Sequence, residues 1–112
     1  MSKPATRSYS RYSRDAATLL GQLIKRARIE RQITVEELAE RAGLSRGLIH
    51  RIEKGDLGCA IGAVFETAAI VGVRLFDADL RTLAGHLSAN AAALTLLPQK
   101  VRTSTGSVKD DF

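Results

Sequence analysis

The stretch from Gln32 to Gly55, QITVEELAERAGLSRGLIHRIEKG, restricts the fold of this chain more than any other. Thr34 followed by Glu36 and Glu37 marks a helix start: a short hydroxyl side chain accepts an orphan first-turn N–H, and carboxylates suit the positive end of the helix dipole. Thr34-x-x-Glu37 is also a capping box. Gly43 ends that helix, since glycine takes positive φ at little cost, and Ser45 caps the next, which runs to a second stop at Gly55. Two short helices joined by so tight a turn must cross at a steep angle. Leu38 and Ile49 can then face each other, Ala39 permits close approach, and Ala42, Leu44 and Ile52 complete a shared core. Arg46, Gly47, His50 and Arg51 are left pointing outward on the later helix.

The flanks extend this helical pattern. Apolar residues at Ala16, Leu19, Leu20, Leu23, Ile24 and Ala27 have the spacing of an amphipathic helix from Ala16 to Arg31, with Lys25, Arg26, Arg28 and Arg31 making its other surface basic. Cys59 to Val73 is nearly all small or apolar and reads as a helix buried on most sides, with Gly58 and Gly62 loosening its start. A connection from Leu75 to Asp79 ends in a cap, and Asp77 and Asp79 serve capping better than acid–base chemistry. Leu80, Leu83, Leu87, Leu94 and Leu97 mark a last helix, which Pro98 ends. With 4% aromatic residues and no Trp, the composition suits close-packed helices, so the expected class is all-α with five helices. A length of 112 residues allows one small core. The expected organisation is a basic arm over 1–14, a helical domain over 15–76, a C-terminal helix over 77–98 and a polar tail over 99–112.

Seventeen Lys and Arg against twelve Asp and Glu give a formal net charge of +5, a balance that attracts polyanions. A lone Cys59 forms no internal disulfide and reads as a packed small hydrophobe rather than a redox sensor. His50 and His86 have no Cys or His at metal-ligand spacing, and neither a nucleophile with a base nor a phosphate-cradling loop is visible. The expectations are no metal, no cofactor, no enzymatic activity, no membrane span and a cytoplasmic location.

The segment resembles the helix-turn-helix of the Xre/Cro family of regulators. The resemblance runs from about Leu20 to Phe76 and rests on Gln32, Leu38 with Ala39, the run Ala42 to Ser45, and Ile49-x-x-Ile52-Glu53-x-Gly55. It implies a five-helix, lambda-repressor-like domain that binds double-stranded DNA, and a structural pair between Arg28 and Glu53. It places Ser45, Arg46, Gly47 and Arg51 where recognition-helix residues meet the major groove, with His50 beside them. Arg46 and Arg51 are the base-reading candidates, because arginine can donate two hydrogen bonds to guanine O6 and N7. Gly47 departs from the long polar residue that many relatives carry there. Phosphates should meet backbone N–H groups near Thr34, Val35 and Ser45, with Lys54, Arg28 and the arm residues Arg7, Arg11 and Arg14 adding charge.

A second resemblance concerns RSYSRYSR from Arg7, GCAIGAVF from Gly58, LLPQKVR from Leu96 and the terminal DDF, which are similar to HipB-like antitoxins partnered with HipA-type kinase toxins. It implies a repressor of its own operon that also restrains a toxin. The five leucines of the last helix exceed what one face of a small core needs, so a homodimer is expected through Leu80, Leu83, Leu87, Leu94 and Leu97. The alternatives are a stand-alone Xre-type regulator and a helical interaction module that no longer binds DNA.

Overall fold

A computed structural model describes residues 8–102. Arg7, at the start of the arm, and the tail from 103 onward, including Asp110, Asp111 and Phe112, lie outside the described residues. Five α-helices and no strand are present among the described residues: α1 (Arg11–Glu30), α2 (Val35–Ala42), α3 (Arg46–Glu53), α4 (Ile61–Val71) and α5 (Leu80–Thr95). The all-α class with five helices expected from the periodicity is the class observed, consistent with the lambda-repressor-like domain that the resemblance implies. The chain divides into two compact units between Asp77 and Ala78.

Helix α1 starts at Arg11, inside the stretch read as an arm. The Ser10 side chain accepts from the Ser13 N–H at 3.1 Å, Arg11 pairs with Asp15 one turn on at 3.2 Å, and Arg14 donates to the Tyr9 carbonyl at 2.8 Å. A cap and an i,i+4 ion pair are enough to carry a helix across residues that have little to bury. Its buried face is narrower than the apolar spacing suggests. Ile24 and Gly21 are buried, Leu20 and Ala27 are half-buried, and Leu19 and Leu23 are exposed.

Gly21 is buried because α3 crosses α1 there. A Cβ on Gly21 would lie 2.5 Å from the Ile52 carbonyl oxygen, closer than any real contact allows. Gly55 repeats the device after α3: its φ is 82°, and a Cβ would lie 2.7 Å from the Thr18 Cα. At the end of α1, Gln32 takes a left-handed φ of 58° and the Ile33 N–H donates back to the Arg28 carbonyl at 3.0 Å, which turns the chain into α2.

The core of the first unit is Ile24, Ile33, Leu38, Ala39, Ile49, Ile52, Ala68 and Val71. Helix α4 packs against α1 and α2, burying Thr67, Ala68 and Val71 fully and Ala63, Val64 and Ile70 in part, while Gly62, Glu66 and Ala69 stay exposed. Its burial is therefore one-sided, against the expectation of burial on most sides, and Ile61 is 68% exposed. The buried Thr67 hydroxyl is satisfied within the helix, donating to the Ala63 carbonyl at 2.8 Å. Helix α4 also starts two residues later than Cys59, at an Ala60 cap that supplies no side-chain acceptor.

In the second unit, Asp79 is the cap of α5, accepting from the Thr82 N–H at 2.8 Å. Asp77 does not share that role: it follows Phe76 in the left-handed region, with φ values of 56° and 54°. Helix α5 ends at Thr95, before Leu97, because the residue preceding a proline is disfavoured in the α region. It buries none of its residues.

Candidate nucleic-acid interface

Helices α2 and α3 hold the outward face. Both parts of the capping box at α2 are formed: Thr34 Oγ1 accepts from the Glu37 N–H at 3.0 Å, and Glu37 Oε1 accepts from the Thr34 N–H at 2.9 Å. The Thr34 backbone donor expected to meet a phosphate is thus already engaged. Val35 and Glu36 carry the first-turn N–H groups that an α-helix leaves without an internal acceptor. Gly43 closes α2 with φ 70°, and Ser45 opens α3 by accepting the Leu48 N–H at 3.1 Å. Its own role is therefore a cap, with the Arg46 and Gly47 N–H groups left at the positive end of the helix.

Thr34, Val35, Glu36, Arg46, Gly47 and His50 line one open groove of about 520 Å³. Arg51, one turn beyond Gly47 on the same helix, is exposed, as is Lys54 at the C-cap of α3. Gly47 takes an ordinary helical φ, and a Cβ there would meet nothing nearer than Ser45 Oγ at 3.9 Å. Neither backbone nor packing requires glycine at this position. It leaves the middle of the groove open between Arg46 and His50.

Both outward arginines hold carboxylates that the sequence reading missed. Arg46 Nη1 donates to Glu36 Oε2 at 3.0 Å, and Arg51 Nε donates to Asp56 Oδ2 at 2.7 Å. The other oxygen of Asp56 accepts the Gly58 N–H at 2.7 Å. These hydrogen bonds, that from Arg51 first and that from Gly58 second, hold the Asp56 carboxyl below its ordinary range, and Asp56 in turn raises Arg51. The spacings of ten and five residues lie outside the i,i+3 and i,i+4 pairs legible on a helix. The turn at Gly43 and the positive φ of Gly55 bring the partners together.

Beneath this face, Arg28 and Glu53 form a two-bonded pair, Nε to Oε2 at 2.6 Å and Nη2 to Oε1 at 3.2 Å. The side chains are only 11% and 4% exposed. Arg28 Nη1 also donates to the Ile33 carbonyl at 3.0 Å, so one guanidinium ties α1, the turn into α2 and the end of α3. Engaged in this way, Arg28 is not available to add charge at a phosphate.

Cys59 is half-buried against the core, and burial pushes its thiol up, although Arg51 nearby opposes the shift. No group of His, Cys, Asp and Glu among the described residues could hold a metal ion. No helix among them is long and apolar enough to cross a membrane. The five leucines Leu80, Leu83, Leu87, Leu94 and Leu97 all stand outside the core, Leu80 at 83% and Leu87 at 72% exposure.

Residues 21–61 match the model of a family described as a helix-turn-helix domain. The match begins at the glycine where α1 meets α3 and ends at the first residue of α4, so it contains α2, α3 and their shared core. That segment, less than half of the chain, is thus similar to a helix-turn-helix domain, in keeping with the α2–turn–α3 geometry. A comparison with curated proteins returned no match.

Proposed function

We propose that the chain is a sequence-specific repressor that binds a palindromic operator as a homodimer and is the antitoxin of a HipA-like kinase toxin. The observation that carries operator binding is the α2–α3 face. Arg46, His50 and Arg51 project from one helix beside an open groove, where the Val35 and Glu36 N–H groups of α2 and the Arg46 and Gly47 N–H groups of α3 have no helical acceptor and can meet phosphates. Phosphate contacts position a protein on the duplex, and base contacts specify the sequence. Arg46 and Arg51 are the base readers; Val35, Lys54 and the α3 start that Ser45 caps stand at the phosphates.

The homodimer is supported by the leucines of α5, none of which is buried within the chain. The antitoxin role is supported by the likeness of the flanks to HipB-like proteins and by the chemistry of the DDF terminus, where an aromatic side chain beside two carboxylates suits a groove on a basic partner.

The test of operator reading is selection of bound duplexes from a randomised pool, followed by titration of operator and scrambled DNA at one salt concentration. Arg46→Ala and Arg51→Ala should each weaken operator binding about tenfold or more while scrambled DNA loses far less. Equal losses on both duplexes would remove these residues from base readout. Co-expression with the product of the neighbouring gene tests the antitoxin role, which requires a stable complex that is lost when residues 110–112 are deleted.

A further inference from the structure

Arg51 and Arg46 are each held by a carboxylate, but by different edges of the guanidinium. Asp56 takes Nε of Arg51, the nitrogen on the side of the group. The end of the fork, Nη1 and Nη2, donates to no protein acceptor among the described residues. That end is the pair of donors that matches guanine O6 and N7. Glu36 instead takes Nη1 of Arg46, one of the nitrogens a base would need, so Arg46 must exchange its partner to read a base end-on.

Asp56 is also held from its own loop. Its second oxygen accepts the Gly58 N–H at 2.7 Å, so the carboxylate is tied to the loop between α3 and α4 as well as to the arginine. A Cβ on Gly58 would stand 3.2 Å from Asp56 Oδ1 and 3.6 Å from Arg51 Nη2, so the loop backbone comes close to both groups. An arginine loses side-chain freedom when it is ordered on a base. One held beforehand along its Nε edge has less to lose, and its remaining donors are aimed in one direction.

From this juxtaposition we propose that Asp56 is a specificity-determining positioning residue, which holds Arg51 side-on so that its two terminal nitrogens are presented together to a guanine. The inference rests on the reading of Arg51 as a base contact. Asp56 also contributes a negative charge beside the DNA-facing helix, which disfavours indiscriminate attraction to phosphates. Its removal should therefore separate two quantities that a loss of fold would move together.

The experiment uses the full chain, a randomised duplex pool and a scrambled duplex at fixed salt. Arg51→Ala should abolish the preference for guanine at one operator position. Asp56→Ala should reduce the preference at that same position about tenfold, leave the preferences at other positions intact, and bind scrambled DNA no more weakly than the parent. Asp56→Asn, which keeps an acceptor for the Gly58 N–H, should give the same change to a smaller degree with an unchanged melting temperature. The double variant should be no less selective than Arg51→Ala alone. An unaltered guanine preference in Asp56→Ala, or a uniform loss at all positions, overturns the role of Asp56. If Arg51→Ala itself leaves every preference intact, the base-reading assignment of Arg51 fails and the inference falls with it.

Discussion

Among single residues, Glu53 and Asp56 show how location decides what a carboxylate does. Glu53 is buried and pairs with Arg28 through two bonds, so removing it leaves a mostly buried guanidinium without its carboxylate. Breaking such a pair costs about 3–5 kcal/mol. Glu53→Ala should therefore lower the melting temperature by more than about 10 °C, given about 4–8 °C per kcal/mol for a domain of this size. A thermal melt indistinguishable from the parent would show that the pair carries no stability. Asp56 is exposed, and its pairing appears in titration instead. Its carboxyl lies below the ordinary range because Arg51 and the Gly58 N–H both favour the charged form. A depressed folded-state value means that the stabilisation is complete above the unfolded value and is lost only as pH falls through the folded one. The Arg51–Asp56 pair should thus be intact at neutral and mildly acidic pH. Carboxyl NMR titration should find the Asp56 midpoint low in the parent and shifted upward in Arg51→Ala; equal midpoints in the two proteins would contradict the bond.

Helices in this fold are placed by glycines whose reasons differ. Gly21 stands in the middle of α1, where glycine costs about 1 kcal/mol relative to alanine, and its compensation is the backbone of α3 lying against it. Gly47 stands in α3 with open space around it and has no such compensation. Alanine at the two sites should act in opposite directions. Gly21→Ala must push α1 away from Ile52 and Glu53, at about 1–3 kcal/mol for overpacking. Gly47→Ala should stabilise α3 by about 0.5–1 kcal/mol, since only backbone freedom changes. Denaturant midpoints of the two variants measure both effects. Stabilisation by Gly21→Ala would mean that α1 and α3 are not in the close crossing described.

For the whole molecule, the proposed operator binding asks for more contacts than one short helix such as α3 supplies. Paired helices in successive major grooves, about 34–36 Å apart, double the contacts and impose a palindrome. Helix α5 carries an apolar surface that its own unit leaves uncovered, with Leu80, Leu87 and Leu94 each more than half exposed. Burial of such leucines against a second copy contributes about 1.5–3 kcal/mol for each side chain fully covered. Leu87→Glu together with Leu94→Glu should convert a dimer to a monomer in light scattering. The same variant should reduce a two-half-site footprint to weak single-site binding, with the first unit melting as in the parent. A parent protein that scatters as a monomer at micromolar concentration would rule out this assembly.

The helix-turn-helix was legible because its signals are local. Thr34, Glu37, Gly43 and Ser45 act on backbone groups within a few residues, and Leu38, Ala39, Ile49 and Ile52 announce their faces by periodicity. The Arg28–Glu53 pair came from family resemblance, since nothing local links residues so far apart. Other features depended on where the chain returns to itself. The need for glycine at 21 exists only because α3 crosses there, and the one-sided burial of α4 only because α1 and α2 cover a single face. The early start of α1 was written in Ser10, Arg11 and Asp15 but hidden by a composition that resembled an arm. The carboxylates Glu36 and Asp56 were visible as acidic residues and nothing more, because a side-chain partner across a turn is set by the direction in which the next element leaves. Local sequence determined the helices and their caps; the tertiary crossing decided which arginine edge each carboxylate would hold, since only folding brings those atoms within hydrogen-bond distance.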